Sequence, residues 1–231
     1  MEEGALLFFL ALHYTPCSYS DNIMTNYEKP DYWTLKAQKE GYPARSVYKL
    51  MEIDEKFKLF QPAPGTPILR VLDLGAAPGS WSLYVLRRYG KQAGNLILAA
   101  IDLEPLPKNN ELSGREEYIF IQGDFTKNPV REEIFRRRPY NAIISDAAPL
   151  TTGSKTVDTL RSLSLAEEVV SLAEDCLVPG GNLALKIFQG GNSVDLLKQM
   201  RKRFNSAKSF KPAACRANSF ETYYIGLGKK E

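Results

Sequence analysis

Residues 68–81, with the sequence ILRVLDLGAAPGSW, decide the fold. The first eight residues form an apolar run typical of a buried strand, and a helix is predicted directly afterwards, over 81–90. The turn between them contains Gly75 and Gly79, which let the backbone approach a ligand closely. The start of the helix offers free N–H groups. Because open α/β sheets bind ligands at this edge, we predict an α/β fold with a ligand site at the turn.

The turn does not match the common nucleotide-binding fingerprints. In a GxGxxG motif that begins at Gly75, the second and third glycines would fall on Ala77 and Ser80, and no GxxxxGK[ST] motif occurs. This favours a ligand that lacks a pyrophosphate and weakens the hypothesis of an NAD-dependent oxidoreductase. The alternative is a tight Gly/Pro turn that binds nothing.

Outward from this turn, strands alternate with helices, which indicates crossover units and a mostly parallel sheet. An antiparallel edge is expected near the C-terminus. Upstream, residues 28–60 carry the apolar spacing of amphipathic helix. We expect a leader at 1–23, an N-terminal helical arm at 24–61 and one domain at 62–231. The strands are predicted at 68–75, 95–102, 117–124, 140–149, 182–189 and 221–228, and the later helices at 128–138, 156–177 and 193–204.

The leader contains an apolar run at 5–12 that is too short to span a bilayer. Glu2 and Glu3 stand where a signal peptide has basic residues. We therefore expect no membrane role, and interpret 1–23 as a poorly ordered extension or as a mis-called start before Met24. The alternative is a short element packed on the body.

Composition excludes several classes of protein. With 44% hydrophobic and 25% charged residues, the chain is an ordinary globular one and not a disordered one. Its three cysteines form no CxxC pair and it has a single histidine, which argues against a Cys/His zinc site, a disulfide framework and a histidine-based triad. We predict no metal and a reducing, cytoplasmic environment.

Carboxylates end several predicted strands. Asp73, Asp102 and Asp124 close the first three, and a carboxylate after the second strand typically accepts ribose hydroxyls. We expect Asp124 to accept from an adenine amino group. Asp146 ends the fourth strand, and Lys186 lies inside the apolar fifth. A buried lysine either pairs with a carboxylate or works as a base, unless it faces outward from an edge strand.

Five separated motifs resemble one family: ARSVYKLMEID, DLGAAPGSW, SDAAP, LKIFQG and SFETYYIG. In order, from about Tyr32 to Gly228, they are similar to the FtsJ/RrmJ (RlmE) family of ribosomal RNA 2′-O-ribose methyltransferases. The resemblance implies a Rossmann-like fold with a mostly parallel seven-stranded sheet and helices on both faces. It also implies S-adenosyl-L-methionine as the cofactor and a uridine of 23S (large-subunit) ribosomal RNA as the substrate.

The resemblance also assigns residues. The catalytic tetrad of the family falls on Lys49, Asp146, Lys186 and Glu221, with Lys186 as general base. The cofactor contacts fall on Gly79, Trp81, Asp102, Asp124 and Asp146, and we add Gly75 from the turn. The chain departs from the bacterial pattern in a longer stretch between Asp102 and Asp124, in Leu150 after the SDAAP motif, and in the leader.

The charge distribution favours an RNA partner, although the net charge is only +3. Seven cations and no acid lie over 198–216, which is either an RNA-guiding face or a solvated helix surface. We expect a monomer that acts on ribosomal RNA within the assembled large subunit, or alternatively on another RNA such as tRNA. Base methylation lacks its motifs, since Leu150 stands where a cytosine-C5 enzyme has cysteine. A non-catalytic RNA-binding module would not need Lys186.

Overall fold

The structure is a computed structural model that describes residues 30–62, 68–93, 96–216 and 218–231. The predicted leader and the first six residues of the predicted arm, 24–29, lie outside the described residues, as do residues 63–67 of the Pro/Gly-rich linker. The described part contains six helices: α1 Tyr32–Lys39, α2 Val47–Phe57, α3 Ser80–Ala93, α4 Asn128–Arg136, α5 Lys155–Cys176 and α6 Ser193–Arg203.

The seven strands of the described part form one sheet. They are β1 Leu69–Leu74, β2 Leu96–Asp102, β3 Tyr118–Gln122, β4 Tyr140–Ser145, β5 Leu177–Phe188, β6 Phe204–Phe210 and β7 Glu221–Lys229. Their order is β3-β2-β1-β4-β5-β7-β6. The strands β1 to β5 pair in parallel, while β7 runs antiparallel to both β5 and β6. The predicted mostly parallel sheet with an antiparallel edge is confirmed.

The order of the strands fixes where a ligand can bind. After β1 the chain adds β2 and β3 on one side, and it then returns to add β4 on the other side. This reversal opens a crevice beyond the carboxyl ends of β1 and β4, which is the usual ligand site of such sheets. The turn after β1 therefore lies at the crevice, as its sequence predicts.

Each face of the sheet is covered by its own apolar core. Consecutive residues of a strand point to opposite faces: Val71 packs with the arm and α3, whereas Leu72 packs with α5 and its neighbours. The arm contributes Val47, Leu50 and Ile53 to the first core, where they meet Ala184 and Tyr223 of the antiparallel side of the sheet. The arm is therefore part of the layer that covers this face.

Three expectations about the elements were wrong in detail. The apolar spacing over 28–60 is divided between α1 and α2, because the chain turns at Gly41, whose φ is +69°, and passes through Pro43. The strand β5 begins at Leu177, earlier than predicted, and its pairing with β4 is irregular between Leu177 and Asn182. The edge strand β6 was missed, because only Phe204 and Ala207 of its sequence FNSAKSF are buried.

Candidate active site

The glycine turn after β1 packs closely against β2 on one side and against the segment that follows β4 on the other. The backbone N–H groups of Gly75 and Ala76 donate to the carbonyl of Ile101, at 2.9 and 3.1 Å. Gly75 has a φ of +76°, and a Cβ at this position would lie 2.6 Å from the backbone of Ala147. Only glycine therefore allows the turn to approach the segment that follows β4, and this contact sets the spacing between the turn and Asp146.

Asp102, the last residue of β2, braces the same turn. Its carboxylate accepts from the backbone N–H of Ala77 at 2.8 Å and of Glu104 at 2.9 Å. The side chain is only partly buried, so a carboxylate with about four lone-pair positions retains acceptor capacity toward the crevice. Asp102 thus lies where the sequence predicts a ligand acceptor.

Asp124 follows β3 by two residues and is also partly buried. Both the backbone N–H and the hydroxyl of Thr126 donate to its Oδ1, at 2.9 and 2.7 Å. This local turn fixes the carboxylate and leaves Oδ2 for a ligand. Asp102 and Asp124 therefore end adjacent strands with acceptors at the same edge of the sheet.

Asp73 does not belong to this set, contrary to the reading of three consecutive strand ends. Its side chain is fully buried beneath α3, where Ser82 donates to Oδ2 at 2.7 Å, and Oδ1 has no hydrogen-bond partner among the described residues. Burial raises the pKa of Asp73 from 3.8 to about 7, the Ser82 hydrogen bond opposes this, and the charges of Asp146 and Asp102 add to it. Asp73 lies inside β1, one residue before its end, and its side chain points to the face that α3 covers.

Asp146 and Lys186 form an ion pair between adjacent strands. The Nζ of Lys186 lies 3.1 Å from Oδ1 of Asp146, and the two side chains are 11% and 17% exposed. The hydroxyl of Tyr223 donates to the same oxygen at 2.7 Å. Burial, followed by the charges of Asp146 and Glu221, raises the pKa of Tyr223 well above its usual value. The phenol therefore stays neutral and acts as a hydrogen-bond donor.

Lys49 and Glu221 form a second ion pair, which joins the arm to the sheet. The Nζ of Lys49 on α2 lies 2.7 Å from Oε1 of Glu221, the first residue of β7, and the side chains are 12% and 14% exposed. Cys215 adjoins this pair. Burial, and then the charge of Glu221, raises the pKa of its thiol to about 12, so the thiol is protonated at neutral pH.

The sheet brings the two pairs to one face. Lys186 is the register partner of Tyr223 in the antiparallel pairing of β5 and β7, so their side chains project from the same face. Glu221 lies two residues before Tyr223 on the same strand and shares that face. The structure therefore brings together all four residues of the predicted tetrad, with Tyr223 between the two carboxylates.

The position of Trp81 differs from that of an open ligand contact. Its indole is 2% exposed, its Nε1 donates to the carbonyl of Ser46 at 2.9 Å, and its ring lies 5.9 Å from that of Tyr223. Beside it, the hydroxyl of Ser80 accepts from the backbone N–H of Ala44 at 2.7 Å. Both residues fasten the start of α3 to the segment that leads into α2. A cofactor contact by Trp81 stays a prediction.

Gly79 has a φ of +99°, and a Cβ there would lie 2.9 Å from Leu112 of the long segment between β2 and β3. Glu111 of that segment pairs with Arg87 of α3 at 2.5 Å, and Arg87 also donates to the carbonyls of Glu40 and Gly41. One guanidinium thus ties the long segment and the arm to α3. The departure from the family pattern is therefore part of the wall beside the turn.

Sequence reasoning missed Tyr223, Ser80 and Glu52 as residues that shape the site. The two carboxylate oxygens of Glu52 accept from the backbone N–H groups of Ala213 and Ala214, which fastens α2 to the connection between β6 and β7. The period-two spacing of Glu221 and Tyr223 could have indicated that both residues face the site. The long-range contacts of Ser80 and Glu52 leave no such local signal.

The cations of 198–216 do not form one surface. Phe204 pairs with Lys229 and Phe210 with Tyr223, so β6 crosses the sheet from the opposite edge to the site edge, roughly 20 Å at about 3.3 Å per residue. Arg203 pairs with Glu174 at the far edge, while Lys211 and Arg216 lie beyond Phe210 at the site edge. Only the later cations of this stretch are therefore placed beside the tetrad.

Two features are absent from the described residues. No helix among them is long and apolar enough to cross a membrane. In the same part of the chain, no three His, Cys, Asp or Glu side chains are grouped in a way that could hold a metal ion.

Comparisons with known proteins agree with this geometry. Residues 42–229 match the model of the FtsJ-like methyltransferase family. The chain is 48% identical over 204 residues to the ribosomal RNA large subunit methyltransferase E of Treponema denticola, which covers 88% of this chain and 97% of that protein. It is 42% identical over 198 residues to the protein of the same name from Nitratidesulfovibrio vulgaris, covering 86% of this chain and 92% of that protein.

Among solved structures, a ribosomal RNA methyltransferase from Plasmodium falciparum superposes with a TM-score of 0.67 at 24% identity, and covers 81% of this chain and 98% of that chain. At this identity the likeness shows the fold alone. The family model spans every described element from α2 to β7 and includes all four tetrad positions. The chain therefore belongs to the FtsJ-like methyltransferase family and is a methyltransferase.

Proposed function

We propose that this enzyme methylates the 2′-hydroxyl of a uridine ribose in large-subunit ribosomal RNA, with S-adenosylmethionine as the methyl donor. The observation that carries the proposal is the pairing of Lys186 with Asp146 and of Lys49 with Glu221 on one face of the carboxyl edge. Relatives named as large-subunit ribosomal RNA methyltransferases support the choice of substrate.

The residues at the crevice fit the proposed cofactor. Asp102 has remaining acceptor positions for ribose hydroxyls, and Oδ2 of Asp124 is available to an adenine amino group. Gly75 and Gly79 keep the turn free of side chains, and Asp146 supplies a negative charge near which a sulfonium is favourable. When bound, this cofactor supplies an electrophilic methyl group whose leaving group is a neutral thioether.

Methyl transfer to a hydroxyl is an in-line displacement that depends on positioning and on removal of one proton. We assign to Lys186 the proton that the ribose hydroxyl would lose as its oxygen takes the methyl group that the cofactor would supply. Only the neutral amine has the lone pair that this step needs. Asp146 accepts a hydrogen bond from Tyr223 and lies 3.1 Å from Nζ of Lys186, so it holds the amine near a fixed carboxylate. Lys49 and Glu221 would orient the ribose from the other side.

A base methyltransferase is a weaker alternative. Leu150, which follows the SDAAP motif, is 90% exposed and offers no nucleophile. Methylation of another RNA, such as tRNA, uses the same four residues and therefore stays the second candidate. We propose that the enzyme acts in the cytoplasm and as a monomer. The preferred form of its substrate is the RNA within the assembled large subunit.

The test is a map of methylated riboses and bases across total ribosomal RNA and tRNA from cells with and without the gene. We expect one uridine of the large-subunit RNA to lose its 2′-O-methyl group, and the purified protein to restore it on large subunits from the deletion strain. Methyl transfer to a base, or a lost methyl group confined to tRNA, would contradict the proposal.

A further inference from the structure

A cleft of about 730 Å³ opens between the arm and the connection from β6 to β7, which we call the arm cleft. It is separate from the crevice beyond β1 and β4. The residues that line it and carry the argument are Asp31, Tyr32, Trp33, Arg45, Arg216 and Phe220.

One aromatic residue of the arm cleft is unusually exposed, and two half-buried ones lie near it. Tyr32 is 68% exposed although it opens helix α1, and its ring meets that of Trp33 edge-on at 5.3 Å. Phe220 lies across the cleft, where its ring contacts that of Phe188 at 4.7 Å. A flat, exposed aromatic ring beside a second one is the kind of surface on which an unstacked nucleobase packs.

The charges of the arm cleft favour an anion. Asp31 pairs with Arg45 and also accepts from the backbone N–H of Thr34, so its charge is shared with the helix start. Arg216 is exposed and forms no ion pair with any described residue. Arg45 and Arg216 both line the cleft, and burial together with the nearby charge of Arg216 lowers the pKa of Arg45 from its usual value. One carboxylate between two guanidinium groups leaves a net positive charge.

The arm cleft adjoins the candidate active site. Phe220 is the chain neighbour of Glu221, and Cys215, whose thiol pKa the charge of Glu221 helps to raise, also lines the cleft. An RNA strand that passes through the cleft would therefore reach the Lys49–Glu221 pair directly. Lys155 lies 6.0 Å from the centre of the Phe220 ring and adds a cation to the same rim.

We propose that the arm cleft binds a nucleotide that flanks the methylated one, with its base stacked on Tyr32 and its phosphate at Arg216. The inference rests on the proposed RNA substrate. It adds that the RNA is single-stranded there, because a paired base cannot present its face to a side chain. Stacking of this kind tolerates any base, so the cleft holds the strand in place without reading its sequence.

The experiment compares methyl transfer to unmethylated large-subunit RNA by the full chain and by Tyr32→Ala and Tyr32→Phe. Loss of one base stack predicts that Tyr32→Ala lowers kcat/KM for RNA about 5- to 100-fold, through KM and with kcat at saturating RNA retained. Tyr32→Phe keeps the ring and should stay within about twofold of the wild type. Leu35→Ala is the matched control, because Leu35 is 54% exposed on the same helix and does not line the cleft.

The salt dependence separates stacking from charge. The slope of log kcat/KM against log salt should be unchanged in Tyr32→Ala and shallower by about 0.7 in Arg216→Ala, which removes one phosphate contact. Wild-type values for Tyr32→Ala would overturn the inference while leaving the proposed function intact. A fall in its melting temperature with an unchanged kcat/KM would also overturn it, because Tyr32 would then serve only the packing of the arm against Trp33. Failure of the wild type to methylate RNA at all would instead contradict the proposed function.

Discussion

The two ion pairs of the site have nearly the same exposure but are held by different parts of the molecule. Asp146 directly follows β4, Lys186 lies in the adjacent strand β5, and Tyr223 of β7 donates to the same carboxylate. Lys49 reaches Glu221 from the arm, whose position depends on the contacts of Ser80, Trp81 and Glu52. The first pair is fixed by strand register, whereas the second is fixed by docking.

This difference predicts different sensitivities. We call Asp146 and Lys186 the sheet-held pair, and Lys49 and Glu221 the arm-held pair. Changes that act on the sheet-held pair should alter the chemical step. Changes at the arm contacts should alter the position of Lys49 and leave the sheet-held pair in place. The predictions below test that division, from the largest expected effect to the smallest.

The largest effect is expected for Lys186→Ala. Loss of a general base costs about 10²–10⁴-fold in turnover, and cofactor affinity should be largely retained because Asp102 and Asp124 are untouched. Lys186→Arg should be nearly as damaging, because a guanidinium does not lose its proton in proteins. The measurements are single-turnover methyl transfer and calorimetric titration of the cofactor. Substantial activity in the arginine variant would assign Lys186 a purely electrostatic role.

The sheet-held half of the site could largely be predicted from the sequence. Asp102, Asp124 and Asp146 follow apolar strands whose period and order place them at one edge, and a lysine inside an apolar strand signals a partner. Asp73 was misplaced because strand ends cannot be located to the residue by pattern. Because successive side chains point to opposite faces, a shift of one position changes the face to which a side chain points.

The arm-held pair could not be predicted from the periodicity of apolar residues in the sequence. Lys49 looks like any polar residue of an amphipathic helix, and its role came only from the family resemblance. Its partner Glu221 is 172 positions away in the sequence. The hydrogen bonds that dock the arm use a backbone carbonyl at Ser46 and a backbone N–H at Ala44, and these groups carry no side-chain signature. The strand β6 was not predicted for a related reason, because an edge strand that is mostly exposed has little apolar pattern.

The second prediction concerns Asp73 beneath the sheet-held half. With its pKa raised from 3.8 to about 7, the folded protein holds a proton that the unfolded chain releases. The free energy of unfolding should therefore fall as the pH rises from about 4 to about 7, by a total of the order of 4 kcal/mol. Asp73→Asn cannot ionise and should lack this contribution. Urea unfolding at several pH values measures the difference, and equal slopes for the two proteins would contradict it.

The third prediction separates crowding from backbone strain at the turn that spaces Asp146. Gly75 and Gly153 both have positive φ, of +76° and +83°, but only at Gly75 would a Cβ meet other atoms. Gly153→Ala should cost about 1–2 kcal/mol of stability for the left-handed conformation alone. Gly75→Ala should cost about 1–3 kcal/mol more, because it pushes Ala147 away, and should also reduce turnover. Thermal unfolding and activity of both variants test this. Equal losses would mean that the contact with Ala147 is easily relieved.

The smallest effect is expected at the docking of the arm. Ser80→Ala removes the acceptor of the Ala44 N–H in a site where Ser80 is 1% exposed, so stability should fall by about 1–3 kcal/mol. Asn141→Ala is the control, because it removes the acceptor of the Arg70 N–H at the start of β4, at the edge away from the site. Both variants should lose stability. Only Ser80→Ala should reduce turnover at temperatures where both variants are folded, because only it loosens the segment that carries Lys49.

A double variant tests whether Ser80 acts through Lys49. If Ser80→Ala combined with Lys49→Ala is as slow as Lys49→Ala alone, the loss acts through Lys49. If the two losses in turnover multiply, Ser80 affects the site by another route. The division between the sheet-held pair and the arm-held pair then fails.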